Sequence, residues 1–423
     1  MLNGIHIVDF GNHRDTELRF GAFTALVGQN GAGKTNVMRA IMELSKAVNS
    51  KTFENANLKT LGRAGTKGAK LAAGWPLDYG DFGGDSGVEI RNGPNSWYWR
   101  ARAAKGEIPW IPPFRADLPI GEPHFRRRAI EFGEPLDSEP GKITEIFEDP
   151  KWSSSYFKLL GERLKGPSYT EVNPPLLSED GAEFAWTLAY LMTAKPECFK
   201  EIMEALRDIV PLVKNVRARP VRVARIERKT VTIQNQKGTF NEEQTVMGQE
   251  LIFDMVSGEG LPANFVSDGT LVVLAILTAI IHRNSESDRS KMGLDISDTK
   301  DVMTPTQGYS NTILLDDIEQ GLHPSAQRTL IRQLRKLQQV RPELQLIVSS
   351  HSPYVVDELS PEDVWLFAPD KGGCAAYARL SDHPDVDKAL KVLTTGEFWS
   401  SEGEEWVLDP EKRTGQRKKK SAA

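Results

Sequence analysis

The sequence predicts an α/β fold: a mixed sheet with helices packed on it, an irregular insertion and a smaller helical subdomain. Three observations carry this prediction. A short apolar strand, Phe23 to Val27, runs directly into the glycine-rich segment GQNGAGKTN and then into VMRAIMELSKAV, which has helical periodicity. A second apolar strand, Thr312 to Leu315, ends in the acidic run DDIE. A third, Leu344 to Ser349, is followed at once by SHSP.

The elements follow in order. Ile5–Phe10 and Thr16–Phe20 are β-prone segments broken by Gly11-Asn12 and Gly21, and they precede the Phe23 strand. Residues 51–180 are rich in glycine and proline (WIPPF, IGEPHF, GEPLDSEPGK) and read as an insertion of loops and small strands. Two amphipathic helices are expected at Ala182–Ala194 and Pro196–Val210, and paired strands over Val216–Ile233. From Asn264 a turn leads into a strongly apolar helix, and residues 285–310 read as a mobile loop. Ser325–Gln339 completes the helices, and the basic run Lys412–Lys420 reads as a tail. The expected organisation is therefore 1–50 and 311–400 as two parts of one lobe, 51–180 as the insertion, 181–284 as the helix and strand region, 285–310 as the loop and 401–423 as the tail.

Composition narrows the function classes. The chain has 423 residues, 39% hydrophobic and 26% charged, as in ordinary globular proteins. A net charge of −5 provides no global field for nucleic acid, so any such binding needs a local patch. Cys198 and Cys374 are the only cysteines, which excludes a disulfide framework or a cysteine zinc site and fits a reducing compartment. The N-terminus lacks the pattern of a secretory signal, and the longest apolar run, Leu271–Ile281, falls short of the ~20 residues a spanning helix needs. A cytoplasmic protein without membrane partners is expected.

Three motifs carry chemistry. Gly28-Gln-Asn-Gly-Ala-Gly-Lys-Thr35 fulfils GxxxxGK[ST], the phosphate-binding P-loop, in its required strand–loop–helix context. Small residues there let the loop wrap so that backbone N–H groups point at phosphate oxygens, and the next helix adds its N-terminal dipole. Gly28, Asn30, Gly31, Gly33 and Asn36 shape this cradle, Lys34 would neutralise the outer phosphates of ATP, and Thr35 would coordinate Mg²⁺. The strand ending at Asp316 delivers a carboxylate to the same hard cation. Asp317 and Glu319 are acids placed to orient or deprotonate a water. His351, after the third strand, is a candidate γ-phosphate sensor.

At these places, and at VSDGT (Val266–Thr270), the chain resembles the ABC-type ATPases of the structural-maintenance-of-chromosomes and RecF-like class. It is most similar to compact bacterial ATPases of the AAA type from anti-phage operons, including those related to overcoming-lysogenization-defect proteins. The segments are GQNGAGKTN, VSDGT, ILLDDIEQGLHP and IVSSHSP, together with LSEDGAEFAWTLAYL in the middle of the chain. Residues 51–175 resemble that class poorly.

The resemblance implies a head-to-tail homodimer, or a higher oligomer, closed over two ATPs. Ser267, Asp268 and Gly269 would then contact the γ-phosphate held by the other subunit. It further implies a regulatory ATPase that controls a separately encoded nuclease or toxin, because the segment after Ser360 has neither the length nor the acidic pattern of a fused nuclease. A DNA-binding repair clamp is the alternative.

Two departures matter. Family members usually carry glutamate where Asp317 stands, and the shorter side chain predicts slow hydrolysis, with Glu319 as a substitute. They also place a metal-sensing glutamine downstream of the P-loop helix, whereas no glutamine occurs between Gln29 and Gln234. Three weaker features stay open. Arg217, Arg219, Arg222, Arg225 and Arg228 punctuate one extended segment that could track a phosphate backbone or pair with carboxylates on a solvated face. Trp97-Tyr98-Trp99-Arg100 and Arg126-Arg127-Arg128 fit base stacking or plain packing. His323-Pro324 fits a helix start, with a catalytic role for His323 as the other reading.

Overall fold

The computed structural model describes residues 1–49, 70–79, 82–91, 152–233, 236–283 and 310–409. The loop expected over 285–310 (apart from Ser310), the basic tail, the Trp97 cluster and the Arg126 cluster lie outside the described residues. The chain divides into two compact units. The first is Met1–Tyr156, Pro305–Leu314 and Val340–Ala423; the second is Phe157–Thr304 and Leu315–Gln339.

The first unit holds two sheets. Strands β1 (Gly4–Phe10) and β2 (His13–Arg19) form an antiparallel pair, and β4 (Lys70–Tyr79) and β5 (Phe82–Arg91) extend it in the order β2-β1-β4-β5. The 51–180 segment thus supplies a hairpin to the sheet that the N-terminus begins. The second sheet has the order β13-β12-β3-β11-β10-β6. Its members are β3 (Phe23–Gly28), β6 (Trp152–Phe157), β10 (Ser310–Leu315), β11 (Leu344–Ser350), β12 (Val364–Pro369) and β13 (Ala375–Arg379). β3 pairs in parallel with β11 and β12, and β12 pairs antiparallel with β13, so the sheet is mixed as expected.

Every residue of β3 and of β11 is buried, which explains continuous apolar runs in place of an alternating pattern. Helix α1 (Lys34–Asn49) buries Val37, Met38, Ala40, Ile41 and Leu44, one stripe at helical spacing. That stripe joins Ile5, Ile7, Phe10 and Leu18 on one side and Leu26, Leu314, Ile347 and Phe367 on the other in a single core. Each such side chain contributes roughly 1.5–3 kcal/mol by leaving water, so the helix that follows the glycine loop is firmly seated.

One polar side chain sits inside this core. Gln345, fully buried, accepts from Leu2 N–H (2.9 Å) and from the Thr312 hydroxyl (2.9 Å). Its amide nitrogen donates to the carbonyls of Leu2 (2.7 Å) and Gly21 (2.9 Å). The amide therefore ties the N-terminus, the entry to β3 and β10 to β11.

The second unit contains α2 (Gly161–Lys165), α3 (Phe184–Ala194), α4 (Pro196–Ile209), α5 (Asp268–Arg283), α6 (Pro324–Val340, whose last residue belongs to the first unit) and a sheet β7-β8-β9. Pro196 opens α4 at a position where the missing N–H costs nothing. In α5 every residue from Gly269 to His282 is buried, so this helix is apolar on all sides because it is surrounded by protein. Among the described residues no helix is long and apolar enough to cross a membrane. β7 (Val213–Ile233) and β8 (Gln236–Met255) form a long antiparallel hairpin, and β9 (Gly258–Pro262) adds to the base of β8.

Candidate nucleotide site

In the first unit the glycine loop joins β3 to α1. Gly28, Gly31 and Gly33 have φ of 133°, 78° and 113°, values that L side chains rarely adopt. Space is limiting as well. A Cβ on Gly28 would lie 2.0 Å from the Phe367 carbonyl oxygen, and one on Gly33 would lie 2.8 Å from both Asn12 Oδ1 and His13 Nε2. Backbone shape thus calls for glycine at all three positions, and neighbours add to it at Gly28 and Gly33.

Lys34 is buried, and its ammonium donates to the carbonyls of Gly28 (2.8 Å) and Gln29 (2.9 Å). It closes the loop on itself, with the charge facing the ring of backbone groups. Gln29, Asn30 and Gly31 are exposed at the rim, and Thr35 and Asn36 are half-buried in the first turn of α1. No acidic residue occupies that turn, so the helix itself places no carboxylate against the positive end of its dipole.

The turn between β1 and β2 braces the loop, a contribution the motif does not announce. Asn12 Nδ2 donates to Gly31 O (3.1 Å), its Oδ1 accepts from Asn36 Nδ2 (3.0 Å), and its carbonyl accepts from Ala375 N–H. His13, fully buried, lies with Nε2 3.0 Å from Gly33 O and Nδ1 3.0 Å from Thr16 Oγ1. A carbonyl can only accept, so Nε2 carries the proton and Nδ1 accepts from the threonine hydroxyl. Burial holds the His13 pKa below the usual histidine value, partly offset by the Gly33 bond, and the neutral ring matches this pattern. In the six-stranded sheet, β11 runs beside β3 with Ser350 opposite Val27. His351 follows one step on, half-buried, level with Gly28.

The acidic segment lies in the second unit. Thr312 to Leu315 are buried, and Asp316 is buried at their end. Its N–H donates to Phe157 O (2.9 Å), which continues the strand pairing by one step. Asp317 has φ 55°, a left-handed conformation that aspartate tolerates better than most residues. Apolar Phe157, Leu159, Val272, Ile276 and Leu315 line a small hollow with the two aspartates. Lys158, which the sequence did not single out, places its ammonium 2.9 Å from Asp317 Oδ2 and 3.3 Å from Asp316 Oδ2. The hydrogen bond to Asp317 raises the Lys158 pKa above the usual lysine value.

These acids therefore hold a cation already and present the hard oxygen donors that Mg²⁺ takes. Among the described residues no group of three His, Cys, Asp or Glu side chains could hold a metal alone. The arrangement fits an ion that takes the rest of its shell from phosphate and water. Glu319 is half-buried in the following turn, and Gly321 closes it at φ 70°. His323 Nδ1 lies 2.9 Å from Ser325 Oγ and accepts from Ser325 N–H, at the start of α6, which is the helix-start reading.

The VSDGT segment caps α5. Ser267 Oγ lies 2.8 Å from Thr270 Oγ1 and accepts from Thr270 N–H (3.3 Å), an N-cap arrangement. Asp268, the first residue of the helix, is 2.8 Å from Lys165 Nζ. Gly269 meets the turn after the acidic strand: a Cβ there would lie 2.2 Å from Gly321 O. The structure thus joins the VSDGT segment to the turn after Asp316–Glu319.

On the β7–β8 hairpin, Arg217 pairs with Asp254 (2.7 Å), Arg219 with Glu250, and Arg225 with Glu171. The carboxylate-paired reading of this face holds for these three.

A glycine loop between strand and helix, followed along the chain by an acidic strand and a histidine-terminated strand in one mixed sheet, is the arrangement of a P-loop ATPase. The chain belongs to the family described as "AAA domain, putative AbiEii toxin, Type IV TA system", whose profile matches residues 23–357. Solved structures similar over most of the chain include a crystal structure of an Smc head bound to the C-winged helix domain of ScpA. It shows 14% identity and a TM-score of 0.45, over 92% of this chain and 99% of that one. Another is the Smc head domain with an extended coiled coil, bound to the C-terminal domain of ScpA and derived from Pyrococcus furiosus. Its identity is 12% and its TM-score 0.44, over 93% and 98% of the two chains. No curated protein matches the chain.

Proposed function

We propose that this chain is a slow ATP-hydrolysing switch that closes as a head-to-tail dimer and controls a separately encoded nuclease or toxin in a bacterial anti-phage system. The observation that carries the nucleotide reading is the glycine loop, with three positive-φ glycines, a buried Lys34 folded onto its carbonyls, and a following helix with no acidic residue in its first turn. Lys34 would move from loop carbonyls to phosphate oxygens, and the loop amides would supply the remaining donors. Thr35 and Asp316 would hold Mg²⁺, which supplies charge neutralisation on the phosphates when bound. Asp317 or Glu319 would orient the attacking water, and His351 would contact the γ-phosphate.

Slow turnover is supported at Asp317, whose short side chain is engaged by Lys158. Ser267, Asp268 and Gly269 begin a long buried helix, and its N-terminal amides are suited to a second phosphate contact in the partner subunit. ATP then drives closure only through its preference for the state in which both contacts exist. The effector reading is supported by the family's toxin–antitoxin description. The DNA-clamp alternative is weakened, because three of the five arginines that motivated it face carboxylates.

Mass photometry and phosphate release on wild type and Lys34→Ala, with and without ATP and Mg²⁺, test this function. ATP-dependent association that the variant lacks, with slow phosphate release, is the expected result. A monomer that turns over ATP rapidly would refute the shared-site mechanism.

A further inference from the structure

Resembling ATPases place a metal-sensing glutamine downstream of the P-loop helix, and here no glutamine occurs between Gln29 and Gln234. The fold offers a different side chain for that role. β6 is the neighbour of β10 in the sheet, Lys158 is the first residue past β6, and Asp316 is the first past β10. The Asp316 N–H to Phe157 carbonyl bond keeps the two chains in step at that point. Lys158 Nζ then lies within 3.3 Å of one oxygen of each aspartate.

We propose that Lys158 is a tethered cation that holds Asp316 and Asp317 in the absence of a divalent ion, and that it competes with Mg²⁺ for them. On this view Lys158 sets how tightly the nucleotide site takes its metal. The assignment rests on the ATP-binding reading above and deepens it.

Two adjacent aspartates follow a buried strand, and the Asp316 side chain has no solvent exposure. Such a pair is costly to keep charged without a counter-ion. Lys158 supplies one, and its side chain is 44% exposed, so the ammonium reaches the acids on a stem that also has room to swing away. An arginine would grip with a rigid fork, and a glutamine would carry no charge to compete. A divalent ion on these carboxylates would meet the positive charge of an ammonium already within 3.3 Å of one oxygen of each, so the lysine contact opposes metal binding. A charge-assisted contact, discounted for exposure, corresponds to roughly a tenfold change in affinity.

The experiment is Mn²⁺ binding to the full chain by electron paramagnetic resonance, in saturating non-hydrolysable ATP analogue. Lys158→Met and Lys158→Gln remove the charge and keep most of the stem, and both should tighten Mn²⁺ roughly tenfold. Lys158→Arg, which preserves the charge and the balance of the fold, should bind Mn²⁺ no more tightly than wild type. Unchanged or weaker Mn²⁺ binding in the neutral variants overturns the assignment, as does tighter binding in Lys158→Arg. Asp316→Asn separates the two readings. If it abolishes Mn²⁺ binding while the Lys158 variants behave as wild type, the nucleotide site stands and only the lysine proposal falls. If wild type fails to bind the analogue, or Asp316→Asn keeps full Mn²⁺ affinity, the reading of the site itself falls.

Discussion

Acidification should loosen the glycine loop through His13. The ring is fully buried, donates from Nε2 to the Gly33 carbonyl and accepts at Nδ1 from Thr16. A second ring proton would turn that accepting nitrogen into a donor facing a hydroxyl and would put a charge in the core. Burial accordingly lowers the folded pKa below the unfolded value. The sign follows from linkage. The unfolded chain binds the proton more readily, so the stabilisation is complete above the unfolded pKa of about 6.5 and is lost as pH falls toward the folded value. Within that window the slope is at most about 1.4 kcal/mol per pH unit, enough to shift local opening by tenfold.

The comparison that isolates the effect is His13→Gln, whose amide nitrogen can replace Nε2 as donor to Gly33 and which does not titrate. Its loss of the Thr16 bond costs about 1 kcal/mol at every pH. Hydrogen exchange at the amides of Ala32 to Val37, corrected for intrinsic rates, should show wild type ahead at pH 7.5 and the gap closing by pH 5.5. Other titrating groups cancel in the difference. Parallel pH profiles for the two proteins would refute the role of a neutral His13 under the loop.

Three further outcomes are expected. Gly28→Ala combines a forbidden φ with a Cβ 2.0 Å from the Phe367 carbonyl, so binding of a fluorescent ATP analogue should fall at least about a hundredfold. Asp317→Glu should raise steady-state phosphate release roughly tenfold, by extending the carboxylate one methylene toward the water; an unchanged rate would move the catalytic role to Glu319. Gln345→Leu strands the Leu2 N–H and the Leu2 and Gly21 carbonyls in the core. Hydrogen exchange along β11 should report a loss of about 3–5 kcal/mol, and Thr312→Val, which removes one bond, about 1 kcal/mol.

The parts of the site that were legible in the sequence are those whose chemistry is local. GQNGAGKT can be read because positive φ at Gly28, Gly31 and Gly33 leaves few residue choices. α4 could be read from its periodicity and from Pro196, and α5 from a run of apolar residues too short for a membrane but suited to full burial. Asn12, His13 and Lys158 were not legible, because their roles depend on partners far along the chain: Gly31, Gly33 and Asp316. The absent glutamine marked a gap without naming what fills it. Within the stretch read as loops and small strands, GWPLDY ends β4 and FGG opens β5, and their antiparallel pairing overrides the glycines and proline.

The contact between Gly269 and Gly321 limits how the protein can respond to what it binds. At that distance a single methyl group would force the start of α5 away from the turn after the acidic strand, so neither backbone can move toward the other without displacing it. Two segments that would meet different phosphates are therefore one mechanical part. Whatever free energy one of them gains from a ligand is available to bias the other, and by reciprocity the second must return it in equal measure. A side chain at Gly269 would push the two segments apart and weaken that exchange.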